Sequence, residues 1–333
     1  MTGPDPAVAA CRLAVRRGLV RSSGKVVLVA CSGGADSLAL LAATVFEARA
    51  AAVRVVGVVV DHGLQAGSAE HTSRVVEQMA GLGVDETASI SVTVDPGPNG
   101  IEAGAREARY TALAQLAEHF AADQVLLGHT RDDQAETVLL GLTRGSGGRS
   151  IAGMRRIFER EGVVFARPLL DLTRVETEAA CTAQGITWWS DPHNADPRFV
   201  RSRIRHTVMP LLEQELGPGV AAALARTADS AREDVDALDA QAELALSDSR
   251  SDDGWDCVRL RALGDLPALQ TRVVRLAALE AGVSPSELGR NHVLDVVALA
   301  VGPDPTKQIR LPGLVTAYRE ADVLRFRPTP PLR

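Results

Sequence analysis

Six residues, Ser32-Gly33-Gly34-Ala35-Asp36-Ser37, join an apolar run, Val26-Val27-Leu28-Val29-Ala30-Cys31, to an alanine- and leucine-rich run, Leu38-Ala39-Leu40-Leu41-Ala42-Ala43. The first run has the length and β-branching of a buried strand, and the last is a strong helix former. Two glycines after a strand let the backbone turn sharply and come close to a ligand, while the free N–H groups of the next helix's first turn point at it. Ser32 and Ser37 add hydroxyl donors, so the loop reads as a phosphate cradle. A carboxylate at Asp36 would repel phosphate directly, and its presence calls for an intervening divalent cation, Mg2+, between the two. The loop lacks both Gly-x-x-x-x-Gly-Lys and Gly-x-Gly-x-x-Gly. Its five fixed residues would arise by chance in about one chain per few thousand of this length.

The same alternation continues downstream. Residues 7–22 read as an amphipathic lead-in helix, and Val53 to Val60 as a second, doubly buried strand stopping at Asp61-His62-Gly63-Leu64. A helix over 69–81, a strand over 89–94, a helix over 101–120, a strand over 124–128 and a helix over 132–143 follow, before a further strand over 163–170 and a helix over 174–184. Steady alternation of this kind predicts an α/β fold with a doubly wound parallel sheet, whose ligands bind beyond the carboxyl ends of the strands. Ser32, Asp61 and His129 all fall at such ends. Pro210, Gly217, Pro218 and Gly219 then cluster, and the remainder reads as helices over 219–247, 267–281 and 286–300 with short strands over 308–311 and 323–326. Two domains are expected, 1–215 and a smaller, mainly helical 216–333.

A second constellation, His129-Thr130-Arg131-Asp132-Asp133-Gln134-Ala135-Glu136-Thr137, lies at a strand end and on the first turns of a helix. Asp133 and Glu136, at i and i+3, share a face, as do Asp132 and Glu136 at i and i+4. Acids here also stabilise a helix N-terminus by about 1 kcal/mol, so alone they are evenly balanced between capping and chemistry.

Ser-Gly-Gly-x-Asp-Ser after a first strand resembles the pyrophosphate loop of N-type ATP pyrophosphatases, which split ATP into AMP and pyrophosphate while activating an oxygen. Leu127-Gly128-His129-Thr130-Arg131-Asp132-Asp133-Gln134-Ala135-Glu136-Thr137, followed by Leu142-Thr143-Arg144-Gly145-Ser146-Gly147, is similar to the signature of tRNA(Ile)-lysidine synthetases. So are Val60-Asp61-His62-Gly63-Leu64, Ala105-Arg106-Glu107-Ala108-Arg109-Tyr110, Arg167-Pro168-Leu169-Leu170, Trp189-Ser190-Asp191-Pro192-His193-Asn194 and Arg201-Ser202-Arg203-Ile204-Arg205-His206. Thr130, Gln65, His193 and Ser202 depart from the usual residues, where histidine, arginine, serine and asparagine are common.

That resemblance implies a Rossmann-like, PP-loop catalytic domain at 1–215 and a tRNA-binding domain at 216–333, without the further C-terminal domain of longer members. It implies ligation of free L-lysine to C2 of cytidine 34 in the CAU-anticodon tRNA(Ile), through an adenylated cytidine, with ATP as substrate and release of pyrophosphate and AMP. Ser32, Gly33, Gly34, Ala35, Asp36 and Ser37 would then bind ATP and pyrophosphate, with Asp36 holding Mg2+ through the phosphates. Arg109 and His129 would approach the nucleotide, and Asp133 and Glu136 would hold lysine. These carboxylates raise the pKa of an ammonium, yet the attacking amine must be neutral. Either they grip the α-ammonium or one of them takes the proton.

Composition bears on the partner. A net charge of −6 argues by itself against nucleic acid, but residues 198–206 hold four arginines and no acid. Arg201, Arg203 and Arg205 are therefore candidates for tRNA contacts. Trp188 and Trp189 read as core packing rather than base stacking, and His62 and His71 as structural. Cys11, Cys31, Cys181 and Cys257 form no Cys-x-x-Cys pair and read as small buried hydrophobes. Paired cysteines are what a tRNA-thiolating relative, the closest alternative, ordinarily needs. An amidotransferase-type pyrophosphatase would need a glutaminase segment, and a non-catalytic tRNA-binding protein would not need Ser32, Asp36, Asp133 and Glu136. No run approaches membrane-spanning length and no signal peptide is visible, which predicts a cytoplasmic protein with no membrane partner. The resemblance allows a homodimer.

Overall fold

The computed structural model describes residues 3–19, 26–63, 67–95, 100–145, 147–190, 196–251, 254–264, 266–285, 287–304 and 306–329. Leu64, Gln65, Ser146 and the Asp191-Pro192-His193-Asn194 stretch lie outside the described residues. Contacts divide the chain into two compact units, Met1–Arg144 with Gly153–Ala228, and Gly145–Ala152 with Asp229–Arg333.

The first unit alternates α1 (Pro6–Leu19), β1 (Val26–Ala30), α2 (Ala35–Ala51), β2 (Arg54–Asp61), α3 (Ser68–Gly81), β3 (Glu86–Ser91), α4 (Ile101–His119), β4 (Gln124–Leu127) and α5 (Arg131–Arg144). After α6 (Gly148–Ile151), which belongs to the second unit, come β5 (Ile157–Arg160), β6 (Val163–Ala166), α7 (Arg174–Ala183), α8 (Val200–Arg203), a π-helical turn at Ile204–Val208 and α9 (Met209–Leu216). The strands form one sheet in the order β3-β2-β1-β4-β6-β5, parallel except for the edge strand β5. Strand order reverses between β1 and β4, and that crevice is where ligands enter open α/β sheets.

Alternation along β1 builds both faces. Val27 and Val29 pack with Val55, Val59 and Leu126 beneath α1, α2 and α7, while Leu28 packs with Val56, Val58, Val125 and Phe165 against Tyr110 and Leu113 of α4. The third strand begins three residues before the sequence pattern places it, because an edge strand with half-polar faces carries little periodicity. β5 escapes sequence reading altogether: its Ile-Phe-Glu-Arg exists as a strand only through pairing with β6.

The second unit contains α11 (Cys257–Ala262), α12 (Pro267–Glu280) and α13 (Arg290–Val301), preceded by α10 (Val220–Asp248). Alongside these helices it holds a five-stranded antiparallel sheet in the order β7-β8-β11-β10-β9. Its members are β7 (Arg250–Ser251), β8 (Gly254–Asp256), β9 (Gln308–Leu311), β10 (Val315–Glu320) and β11 (Val323–Pro328). β7 and β8 are too short to leave a sequence pattern.

The observed division falls inside α10 rather than at the Gly217-Pro218-Gly219 cluster. Glu213 of α9 accepts from the Gly219 and Ala221 amides at 2.6 and 2.9 Å, which ties the start of α10 to the first unit. Arg149, in turn, pairs with Asp239 at 2.6 Å, and Arg232 donates to the Ala152 carbonyl at 2.9 Å, which assigns 145–152 to the second. Among the described residues no helix is long and apolar enough to cross a membrane.

Candidate active site

The phosphate loop lies at the carboxyl end of β1. Gly33 sits at φ +81°, and a Cβ there would come within 2.7 Å of Val75 Cγ2 and 3.0 Å of His71 Cε1, so conformation and space both demand glycine. Ser37 ties the loop together: its hydroxyl accepts from the Ser32 amide at 3.1 Å, donates to the Gly34 carbonyl at 2.9 Å and lies 3.3 Å from the Ser32 hydroxyl. No side chain caps α2 at Gly34, which leaves first-turn amides for a ligand. His71 and Trp189, both read as structural from sequence, brace the loop from outside. The His71 ring contacts the Ser32 carbonyl at 3.0 Å and stacks, tilted, on Trp189 at 4.0 Å, and the Trp189 amide donates to the Gly33 carbonyl at 2.9 Å. Trp188 packs against the core, as expected.

Asp36, in the first turn of α2, accepts from the Thr177 hydroxyl of α7 and lies 3.6 Å from Arg174 Nε. Burial pushes its carboxyl up to about 6, against the pull of Thr177 and Arg174 and reinforced by the charge of Asp133. A buried carboxylate this reluctant to ionise, beside open helix amides, suits a divalent cation. Among the described residues no cluster of three or more ligating side chains exists, so such a cation would take one carboxylate and substrate phosphates, the usual habit of Mg2+. At Gly128, after β4, a Cβ would lie 3.0 Å from Asp36 C and O and Ser37 Cα, so this glycine lets β4 approach the loop.

The acids of α5 separate by role. Asp132 accepts from the Arg174 amide at 2.8 Å, a structural bond that secures α7. Asp133 and Glu136 turn inward and are 8% and 2% exposed. Thr130 fixes Asp133, donating its amide at 2.8 Å and its hydroxyl at 3.1 Å to Oδ2. Burial alone would raise the Asp133 pKa, but Arg174, the Thr130 amide and Arg205 outweigh it and hold the carboxyl below its usual range. Arg205 grips Glu136 with two bonds, at 2.7 and 3.0 Å, and reaches Asp133 at 3.2 Å. Arg174 lies 3.2 Å from Asp133 and 3.8 Å from Glu136, and Arg201 Nε lies 3.6 Å from Glu136.

The three arginines grouped by sequence therefore part company. Arg201 and Arg205, four residues apart, face the acids, whereas among the described residues Arg203 donates to the carbonyls of Pro197 and Arg198 at 2.7 and 3.1 Å. Sequence reasoning missed Arg174 and Thr177. Their signal was position: α7 begins just after the fifth parallel strand end, beside the same crevice.

His129 closes the other side. Arg167, at the end of β6, donates Nε–H to His129 Nδ1 at 3.1 Å and Nη2–H to the Tyr110 hydroxyl at 3.0 Å. A guanidinium can only donate, so Nδ1 is bare and Nε2 carries the ring proton. Burial, with Arg167, Arg109 and Arg106 nearby, drives the imidazole pKa well below 6.5 despite Asp133. Arg109 approaches the Tyr110 ring at 5.6 Å, and among the described residues its buried Nε has no partner, nor does His62 Nδ1. Burial, Arg106 and Arg201 lower the Arg109 pKa, against the favourable pull of Tyr110. This is a positive, incompletely satisfied corner beside His129.

The PP-loop domain family matches residues 12–212. The tRNA(Ile)-lysidine synthase of Streptomyces coelicolor is 46% identical over 98% of this chain and 99% of its own length. That of Thermobifida fusca is 48% identical over 94% and 95%. A U34-tRNA thiolase from Methanococcus maripaludis, solved with its [4Fe-4S] cluster, superposes with a TM-score of 0.55 at 16% identity, covering 68% of this chain and 78% of that one. The last likeness is one of fold alone. Here all four cysteines are buried, and burial pushes the Cys11 and Cys257 thiols up to about 11 and Cys181 to about 12.

Proposed function

The chain belongs to the tRNA(Ile)-lysidine synthase family, and we propose that its first unit joins free L-lysine to C2 of cytidine 34 of the CAU-anticodon tRNA(Ile) in two steps at one crevice. The observation that carries this reading is a single arginine, Arg174, in reach of Asp36, Asp133 and Glu136. It makes the phosphate loop and the buried acid pair two halves of one site.

In the first step the C2 oxygen of the base attacks the α-phosphorus of ATP, a new P–O bond forms, and pyrophosphate leaves. Loop amides and the hydroxyls of Ser32 and Ser37 receive the pyrophosphate charge. Mg2+ at Asp36 would supply further neutralisation of the leaving group. Arg109 offers its unpartnered Nε–H and permanent charge to the α-phosphate. His129, neutral and protonated at Nε2, acts as a donor to developing negative charge rather than as a base. In the second step the neutral ε-amine of lysine forms a bond to C2, the C2–O bond breaks, AMP departs with the oxygen, and the nitrogen passes its proton to solvent water. Asp133 and Glu136 hold the lysine. The chemistry belongs to the cytoplasm, where ATP, lysine and tRNA occur together.

The direct test supplies purified protein with Mg-ATP, radiolabelled lysine and CAU-anticodon tRNA(Ile). Label in the tRNA with release of pyrophosphate is expected, and label in no tRNA would sink the reading. Phosphate contacts fall first to Arg203, whose charge no carboxylate neutralises among the described residues. Arg203→Ala should weaken tRNA binding evenly and lower the slope of log K against log salt by about one. An unchanged slope would remove Arg203 from the interface.

A further inference from the structure

Glycine has the widest conformational freedom of any residue, yet at Gly33 both adjoining peptide planes are pinned from outside the loop. His71 Nε2, on α3, lies 3.0 Å from the Ser32 carbonyl, which can only accept, so this nitrogen carries the ring proton and holds the 32–33 plane. The Trp189 amide donates to the Gly33 carbonyl at 2.9 Å and holds the 33–34 plane. The φ and ψ of Gly33 are the two rotations that relate these planes, and φ stands at +81°. Both peptides are trans, so a Gly33 carbonyl turned to Trp189 turns the Gly34 N–H away from it.

The two pins are joined to each other. The His71 and Trp189 rings stack with centroids 4.0 Å apart, and Gln78, two turns further along α3, donates to the Thr187 carbonyl at 2.8 Å. α3 and residues 187–189 therefore close as one clasp on the loop.

We propose that His71 is a positioning residue for the phosphate chemistry: with Trp189 it holds Gly33 in its binding conformation before any ligand arrives. A loop ordered in advance gives up little freedom on binding, and the difference appears as affinity for pyrophosphate and for the corresponding part of ATP. The inference rests on the reading that this loop receives pyrophosphate. It acts on that half of the crevice and not on the half that holds lysine.

Calorimetric titration of the full chain with inorganic pyrophosphate and Mg2+ reads the loop without tRNA or lysine. His71→Ala should weaken binding about tenfold or more and raise the KM for ATP by a similar factor, with the KM for lysine within about twofold of the parent. His71→Gln places an amide N–H where the imidazole Nε2–H stood, so it should restore both values to within about threefold. Gln78→Ala leaves the His71 and Trp189 bonds in place but frees residues 187–189 from α3, and a loss of about threefold is expected. Pyrophosphate binding by folded His71→Ala equal to that of the parent, or an equal loss in His71→Gln, overturns the clasp and leaves the role of the loop standing. Should His71→Ala not fold, unchanged binding by Gln78→Ala overturns the clasp instead. No binding by the parent overturns the loop reading and the clasp together.

Discussion

Asp36→Ala is expected to suppress pyrophosphate release by about 1000-fold or more while tRNA binding stays close to that of the parent. The carboxylate is the acid that lies within the loop after β1, so on the proposed reading its loss would remove the anchor for a cation that balances the triphosphate. Among the described residues its partners are Thr177 and Arg174, both within the fold. If tRNA binding fell as far as catalysis, the metal and phosphate role would be wrong.

Asp36 also carries a pH signature in the metal-free protein. Its folded pKa of about 6 stands above the ordinary 3.8, so the folded state holds the proton more tightly than the unfolded chain does. The stability this contributes is full below about pH 4 and is lost as pH rises through 6, up to about 3 kcal/mol. Asp36→Asn cannot ionise. Without divalent cations it should be more resistant to urea than the parent at pH 7.5, with the difference closing toward pH 4. A difference independent of pH would show that the buried charge is not what strains this turn.

Glu136→Gln is expected to divide the two steps. The side chain keeps its size but cannot balance Arg205, which loses a buried ion pair valued at about 2–5 kcal/mol in such settings. Lysine-dependent AMP release should therefore fall by about 30-fold to several thousand-fold, while pyrophosphate release stays within about tenfold of the parent. The separation follows from geometry, since Glu136 faces Arg174, Arg201 and Arg205 and not the loop hydroxyls. Equal loss of both steps would move Glu136 from lysine binding to activation of the base.

Much of this molecule was legible in its residue order, and the reason is local. A strand of β-branched residues, a glycine that must take φ +81°, a polar first turn and an alanine-rich helix interact across a few positions, so β1, the loop and α2 are written in neighbouring residues. The 3.6 and 2.0 residue periods likewise announce the parallel sheet, and the order of motifs announces the family. Asp133 and Glu136 were visible as one helix face, because i and i+3 is a local relation.

What the residue order left undecided depends on groups far apart in the chain. Nothing near Arg174 shows that it will stand between Asp36 and Asp133, 138 and 41 positions away in numbering, or that Arg201 and Arg205 will turn inward while Arg203 does not. Strand β5 and the short β7 and β8 exist by pairing, not by pattern. The loop alone pointed to a phosphate ligand at the end of β1. Only tertiary packing, by burying Asp133 and Glu136 among guanidiniums, decided that the second half of the crevice carries balanced charge, because desolvated ions must find partners wherever the fold brings them.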